Sequence, residues 1–262
     1  MPTPPNKIWQ DTYTIHIYHV DRDGFTTMAS ICDFLQESAW KHANSASFGY
    51  EQLKEQNLIW VLSRLLIKAY RFPKWKEKIK LNTWSKGMVG IFADRDFEIF
   101  DEEEKLIISA TSSWLVLDSA TRKIRRSENI KNRLPAFPEK KALPFRAAKI
   151  AETDFTGQGP FHPVLFSDLD LNNHVNNARY IRRIFDSLHE KFRSKHLPDE
   201  MEINFINEGI FGDELAVLHS SFVNDQSIYS IIRKKDNSEL IRTRIKWRER
   251  NSIGIDPDFS VQ

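Results

Sequence analysis

Asp168-Leu169-Asp170-Leu171-Asn172-Asn173-His174-Val175-Asn176-Asn177 decides how the rest of the chain is read. A carboxylate, an amide and an imidazole stand at alternate positions, Asp170, Asn172 and His174. An amphipathic run, Ala178 to Leu188, follows at once. In an extended segment residues i, i+2 and i+4 point the same way, so these groups would line one wall. That wall lies where a helix begins, and the free N–H groups of a helix start favour negative charge. Such parts suit the hydrolysis of a carbonyl compound. The plainer reading is that Asp and Asn before a helix are caps and turn formers, and for a generic Asp-x-Asn-x-His it ranks first. Asp168, Asp170 and Asn172 also occupy the first, third and fifth places of a calcium loop. That loop fails at Asn173, where Gly is needed, and at Arg179, where a bidentate Glu is needed.

Working outward, the helix has an earlier counterpart. Helical spacing predicts one helix over Ala29–Ala43 and a second over Asn177–Phe192. Each is followed by four strand-like segments. The first set is Ile59–Tyr70, Lys78–Trp84, Ile91–Phe100 and Leu106–Asp118; the second is Glu200–Ile206, Glu214–Val223, Ser227–Lys234 and Leu240–Glu249. An initial strand precedes each helix, and element order repeats throughout, which favours an internal duplication. Lining up Asp23 with Asp170 puts Phe25 opposite Asn172 and Thr27 opposite His174. The first half then lacks the amide and the imidazole, and offers apolar surface instead. A helix followed by a meander of long strands implies an α+β architecture. No strand–Gly-rich loop–helix unit supports a dinucleotide or P-loop reading. The Pro-containing segment from Arg126 to Gly159 reads as a long connector, with Pro135, Pro138 and Pro144, between units at 1–148 and 149–262.

Composition sets the outer bounds. Apolar residues are 40% of the 262, with seven Trp and eighteen Phe, enough for a substantial core. A net charge of +2, from 38 basic and 36 acidic residues, gives no indication of nucleic acid. Cys32 is the single cysteine, so an internal disulfide or a Cys-based zinc site is excluded; it reads as a small buried apolar residue. His162 and His174 lack companions for a zinc site, so no metal is expected. Neither a signal-peptide core nor a membrane-length apolar run is present, so a soluble cytoplasmic protein is expected.

The stretch from Ser167 through Tyr180-Ile181 resembles the signature of acyl-(acyl carrier protein) thioesterases of plant and bacterial type. Ile203-Asn204-Phe205-Ile206-Asn207-Glu208-Gly209-Ile210-Phe211-Gly212-Asp213-Glu214 resembles that family's second active-site strand. Val61-Leu62-Ser63-Arg64, Arg71-Phe72-Pro73-Lys74-Trp75 and Leu81-Asn82-Thr83-Trp84 resemble its N-terminal domain. The resemblance covers about residues 10 to 250 and implies a double hotdog fold, two sheets each wrapped around a long helix. It also implies thioester hydrolysis without an organic cofactor, with Asp170, Asn172, His174 and Glu208 as catalytic positions. Plant members carry Cys directly after the Glu; here Gly209 stands there, which removes a cysteine nucleophile from that place.

The implied substrate is a fatty acyl chain on the phosphopantetheine arm of acyl carrier protein. Glu208 or Asp170 would activate water, with Asn172 and His174 orienting it or the carbonyl; direct attack by Asp170 through an anhydride is a third route. Helix-start N–H groups at Asn176 and Asn177 are the expected oxyanion donors. Met28, Phe34, Leu35, Trp60 and Leu62 are candidates to line the acyl tunnel. The acidic carrier calls for a basic dock, for which Arg179, Arg182, Arg183, Lys74 and Lys76 are candidates, as are Arg122, Lys123, Arg125 and Arg126. An acyl-CoA thioesterase and a non-catalytic acyl-binding protein are the alternatives. A fused double unit is compatible with a monomer or a homodimer.

Overall fold

The computed structural model describes residues 7–125 and 136–250. The first ten residues of the expected connector, with Arg126 and Pro135, lie outside the described residues. The first half supplies β1 (Trp9–Thr14), α1 (Met28–Ser45), α2 (Tyr50–Lys54), β2 (Leu58–Ala69), β3 (Lys78–Val89), β4 (Phe92–Phe100) and β5 (Leu106–Asp118). The second supplies β6 (Gly157–Gln158), β7 (His162–Pro163), α3 (Asn177–Asp186), α4 (Glu190–Arg193), β8 (His196–Phe205), β9 (Glu214–His219), β10 (Gln226–Arg233) and β11 (Glu239–Glu249). All the strands join one antiparallel sheet in the order β1-β3-β4-β5-β2-β8-β11-β10-β9-β6, and β7 also pairs with β9. Outward from the β2–β8 seam the two halves run in the same strand order, so the sheet has a pseudo-twofold centre where Leu66 faces Glu202. This is the α+β double hotdog.

Each helix is wrapped by its own half of the sheet. Thr27 caps α1 by accepting from the Ser30 N–H. Behind that cap Ile31, Phe34 and Leu35 are buried against the first half-sheet, each contributing about 2 kcal/mol. Asn176 caps α3 in the same way, by accepting from the Ala178 N–H, and α3 buries Tyr180, Ile181 and Ile184. The helices meet side by side, where the Asn177 side-chain amide donates to Gln36 Oε1 at 2.7 Å.

Two expectations need correction. The second helix does not reach Phe192. It ends at Asp186, where the Ser187 hydroxyl donates back to Ile184 O at 2.7 Å, and His189 starts the separate α4 by accepting from the Lys191 N–H. The repeat register is also two residues off. A 3-10 turn (Ile17–His19, Phe166–Asp168) and a β-bridge (Val20–Thr26, Leu169–Val175) recur at an offset of 149, the step from Val20 to Leu169 and from Thr26 to Val175. Asp21 therefore corresponds to Asp170, Asp23 to Asn172, Phe25 to His174 and Thr27 to Asn176. The register signal is the left-handed residue of each turn, Gly24 (φ 78) and Asn173 (φ 61). The first half still lacks the amide and the imidazole.

The described part of the connector is a strap across the outer sheet face. Ala142 N–H donates to Asp96 Oδ2, Ile150 N–H to Asn204 Oδ1, and Trp84 Nε1 to Lys140 O. Arg146 and Lys140 pair with Asp94 and Glu98. Polar side chains that β4 and β8 turn outward thus have partners although several are buried.

Candidate active site

The site begins as a turn rather than an extended wall. Asp170 N–H donates to His174 O at 2.8 Å, closing the loop. One carboxylate oxygen, Asp170 Oδ1, accepts from the Asn172 N–H at 2.8 Å and the His174 N–H at 3.3 Å. Asn173 takes the left-handed position between them. The turn-former reading therefore holds for Asp170, and the turn is what brings Asn172 and His174 to the same cavity.

The second chain segment joins by backbone pairing. Val175 N–H donates to Gly209 O at 2.9 Å, and His174 bridges to Ile210. This places His174 Nε2 3.5 Å from Glu208 Oε2. The other oxygen, Glu208 Oε1, is ion-paired with Arg122 Nη2 from the first half. Glu208 itself sits in a pinned loop: Arg233 Nη1 donates to its carbonyl at 3.3 Å, and Asp213 Oδ2 accepts from the Ile210 N–H at 3.1 Å.

A cavity of about 630 Å³ holds all four candidates and Arg122 on its wall, a size ordinary for small-ligand sites. Its apolar arm runs into the first half. Gln36, Ala39, Trp40 and Ala43 form a stripe at helical spacing along α1, opposite Trp60, Leu62 and Trp114. Trp60 and Leu62, two of the expected acyl-lining residues, are on the wall of this cavity. Met28, Phe34 and Leu35 are not: none lines this cavity, because they belong to the α1 face buried in the sheet core. The wall also includes Arg95, wholly buried and without an ion-pair partner among the described residues. Burial pulls its guanidinium down to about 10. It is 3.0 Å from His42 Nδ1 and donates to Thr83 Oγ1 at 3.1 Å. Periodicity gave no sign of this polar patch.

Other expectations sort by what the side chains already hold. Asn176 N–H donates to Asp168 O at 2.9 Å and so is not a free oxyanion donor; Asn177, whose side chain is on the cavity wall, keeps an N–H without such a partner among the described residues. Arg183 is not a surface dock, because it bonds Pro163 O at 2.8 Å and Asp168 Oδ2 at 2.7 Å. Arg179 and Arg182 stand near Asp33 of α1. Lys74 lies over the Phe25 ring and Lys76 over the Trp75 ring. Cys32 is fully buried, and burial pushes its thiol well above the ordinary range. Arg122 and Tyr180, like Arg95, line the cavity without having been placed there by the sequence reading.

Gly209 is set by contact. Its N–H donates to Tyr180 Oη at 2.8 Å, and a Cβ there would lie 2.9 Å from that oxygen and 3.1 Å from Val175 Cγ2. Gly209→Ala is expected to cost about 1–3 kcal/mol, as overpacking does, and to shift Glu208; thermal unfolding and kcat measure the two effects.

Asp213 anchors the Glu208 loop. Burial pushes its carboxyl up, but bonds donated by Lys235, the Ile210 N–H and Arg233 outweigh that and hold it below the usual carboxylate range. A depressed folded value means stability that is present above the unfolded value of about 4 and lost as pH falls through the folded one. Asp213→Asn should therefore destabilise at neutral pH by on the order of 2 kcal/mol and flatten the loss of stability below about pH 4, read by denaturant titrations at several pH values.

Comparisons with known proteins fit this geometry. Residues 6–131 match the model of the acyl-ACP thioesterase N-terminal domain, and residues 156–249 match that of the C-terminal domain. A palmitoyl-acyl carrier protein thioesterase of Cuphea hookeriana is 24% identical over 94% of this chain, which spans 63% of that relative's length. The crystal structure of an acyl-ACP thioesterase from Bacteroides thetaiotaomicron superposes with a TM-score of 0.77 at 28% identity, covering 92% of this chain and 98% of that one. A 12:0-ACP thioesterase from Umbellularia californica shares the fold, with a TM-score of 0.82 at 22% identity over 94% and 98% of the two chains.

Proposed function

We infer the function from one premise: the chain belongs to the acyl-ACP thioesterase family, matching both of its domain models. The reaction we propose is hydrolysis of the thioester of fatty acyl-(acyl carrier protein), releasing free fatty acid. The observation that carries it is the meeting of His174 and Glu208, from two chain segments, on the wall of a cavity that Trp60, Leu62 and Trp114 also line. Glu208 takes a proton from water as the water attacks the thioester carbonyl, and His174 and Asn172 orient water and carbonyl. The Asn177 N–H at the start of α3 faces the developing oxyanion. Collapse of the tetrahedral intermediate breaks the C–S bond and expels the thiolate, which takes the proton from Glu208 and restores its carboxylate. Asp170 acts by holding the turn.

The acyl chain lies between α1 and the strand ends at Trp60, Leu62 and Trp114. The carrier docks on basic side chains for which no hydrogen bond or ion pair is found among the described residues, with Lys76, Arg179 and Arg182 as the set to test. The halves 1–148 and 149–262 divide the work, acyl binding in the first and chemistry in the second. Among the described residues no helix is long and apolar enough to cross a membrane. The test is steady-state hydrolysis of matched C8 to C18 acyl chains on acyl carrier protein and on CoA. Carrier-dependent release of fatty acid supports the proposal. Preference for CoA discards the dock, and tight acyl binding without hydrolysis makes the protein a binder.

A further inference from the structure

Arg122 lies in the half that lacks the polar set, yet its guanidinium reaches the Glu208 carboxylate across the boundary. The turn that carries it is unusually well fixed. Asp118 Oδ1 accepts from the Ala120 N–H, the Thr121 N–H and the Thr121 hydroxyl, and Asp118 Oδ2 accepts from Arg125. These bonds hold the Asp118 carboxyl far below the usual carboxylate range. Asp118 N–H donates to Lys123 O and Arg122 N–H to Asp118 O, each at 2.9 Å, and Ser119 N–H ties the turn to Asn57 O. At its tip Arg122 itself has φ 57, a left-handed backbone that a long side chain adopts only where its surroundings impose it. The turn thus holds one arginine over the cavity at a conformational cost.

The two oxygens of Glu208 have separate partners: Oε1 faces Arg122 and Oε2 faces His174 Nε2 at 3.5 Å. A carboxylate on a loop with about a third of its side chain exposed has several rotamers open to it. A guanidinium that reaches it from the opposite side, on a backbone fixed by the turn, limits that freedom and leaves one oxygen facing the imidazole. We propose that Arg122 is a positioning residue for Glu208, so that the half without the polar set completes the active site of the other. The inference rests on Glu208 being the base in the reaction proposed above. It also sets Arg122 apart from the basic cluster in which the sequence places it as a carrier dock.

The experiment is a double-mutant cycle of Arg122→Ala with Glu208→Gln in the full-length chain, assayed with the same acyl group on acyl carrier protein and on CoA. Arg122→Ala is expected to lower kcat about 10- to 100-fold on both carriers with KM little changed. Arg122→Lys should recover part of the loss, and added guanidinium ion should rescue Arg122→Ala. In the Glu208→Gln background Arg122→Ala should cost nothing further, because the group it positions no longer takes a proton. A rise in KM confined to the protein carrier, with kcat intact, would make Arg122 a docking residue and overturn the proposal. An equal loss in both backgrounds would make it merely structural, and Arg122→Lys separates that case from misfolding. Full activity in Glu208→Gln alone would overturn the base assignment and this inference together.

Discussion

For the proposed acyl-thioester hydrolysis, Glu208→Gln is expected to lower kcat by about 10³-fold, within the range for losing a general base, while the protein should stay folded and keep its affinity for an acyl chain. Glutamine keeps the shape of the side chain and still offers an oxygen to Arg122, but it cannot take a proton from water. The stability cost should be small. Arg122 and Glu208 each leave 34% of the side chain exposed, and ion pairs so wetted are worth about 1 kcal/mol or less. Thermal unfolding should therefore move by a few degrees at most. Affinity for a non-hydrolysable acyl thioether should hold within a few-fold, since the apolar arm of the cavity lies with α1 and β2, in the other half. A variant that keeps a tenth or more of wild-type kcat would place the base elsewhere, and Asp170 would be the next candidate, since the other carboxylate on the cavity wall, Asp94, is paired with Arg146.

The halves of the molecule were legible to different degrees for physical reasons. Long strands with one buried face announce themselves by alternation, and Leu106–Asp118 was read with its observed ends. Burial decides α1 along most of its length, so it too was read within a turn of its limits. The second helix was overrun because Ser187 and His189 end and restart it by local side-chain bonds that leave the apolar spacing intact. Of the candidate site, Asp170, Asn172 and His174 stand out in one short stretch by residue type, whereas Glu208 is picked out only by the resemblance of its stretch to the family's. Their relation was not legible: the pairing of Val175 with Gly209 is tertiary, and alternate spacing in the first stretch suggested an extended wall where Asn173 instead turns the chain. Arg122 was visible only as one basic residue among several, since reach across the two halves has no local signature. Apolar character alone does not separate Met28, Phe34 and Leu35, in the core, from the α1 residues that face the cavity. The small residues Ala39 and Ala43, which leave room beside the helix, mark the stripe that faces the cavity.

Asp170→Asn, in contrast, should keep kcat within about ten-fold of wild type, because an amide oxygen caps and turns a chain nearly as well as a carboxylate oxygen. Asp170→Ala should lose about 10²-fold, since it releases the turn that positions Asn172 and His174, and should cost about 1 kcal/mol of stability. The reason lies in the first half. Asp21 accepts from the Asp23 N–H at 2.9 Å and the Phe25 N–H at 3.1 Å, the same two bonds that Asp170 makes to Asn172 and His174. Its N–H likewise donates to Phe25 O, as that of Asp170 does to His174 O. With Phe25 in place of the imidazole, the first-half turn has no chemistry to perform, yet it uses the carboxylate identically. The shared duty is the turn, and the second half adds reactive groups upon it. Asp21→Asn should then be nearly silent in both stability and kcat, and Asp21→Ala should cost stability like Asp170→Ala while sparing the reaction far more. If Asp170 instead attacks the carbonyl to form an anhydride, Asp170→Asn falls by about 10⁴-fold or more. A single turnover in ¹⁸O-labelled water then leaves label in the Asp170 carboxylate. Label in the fatty acid alone, with an active Asp170→Asn, identifies water activated by another group and leaves Asp170 to hold the turn.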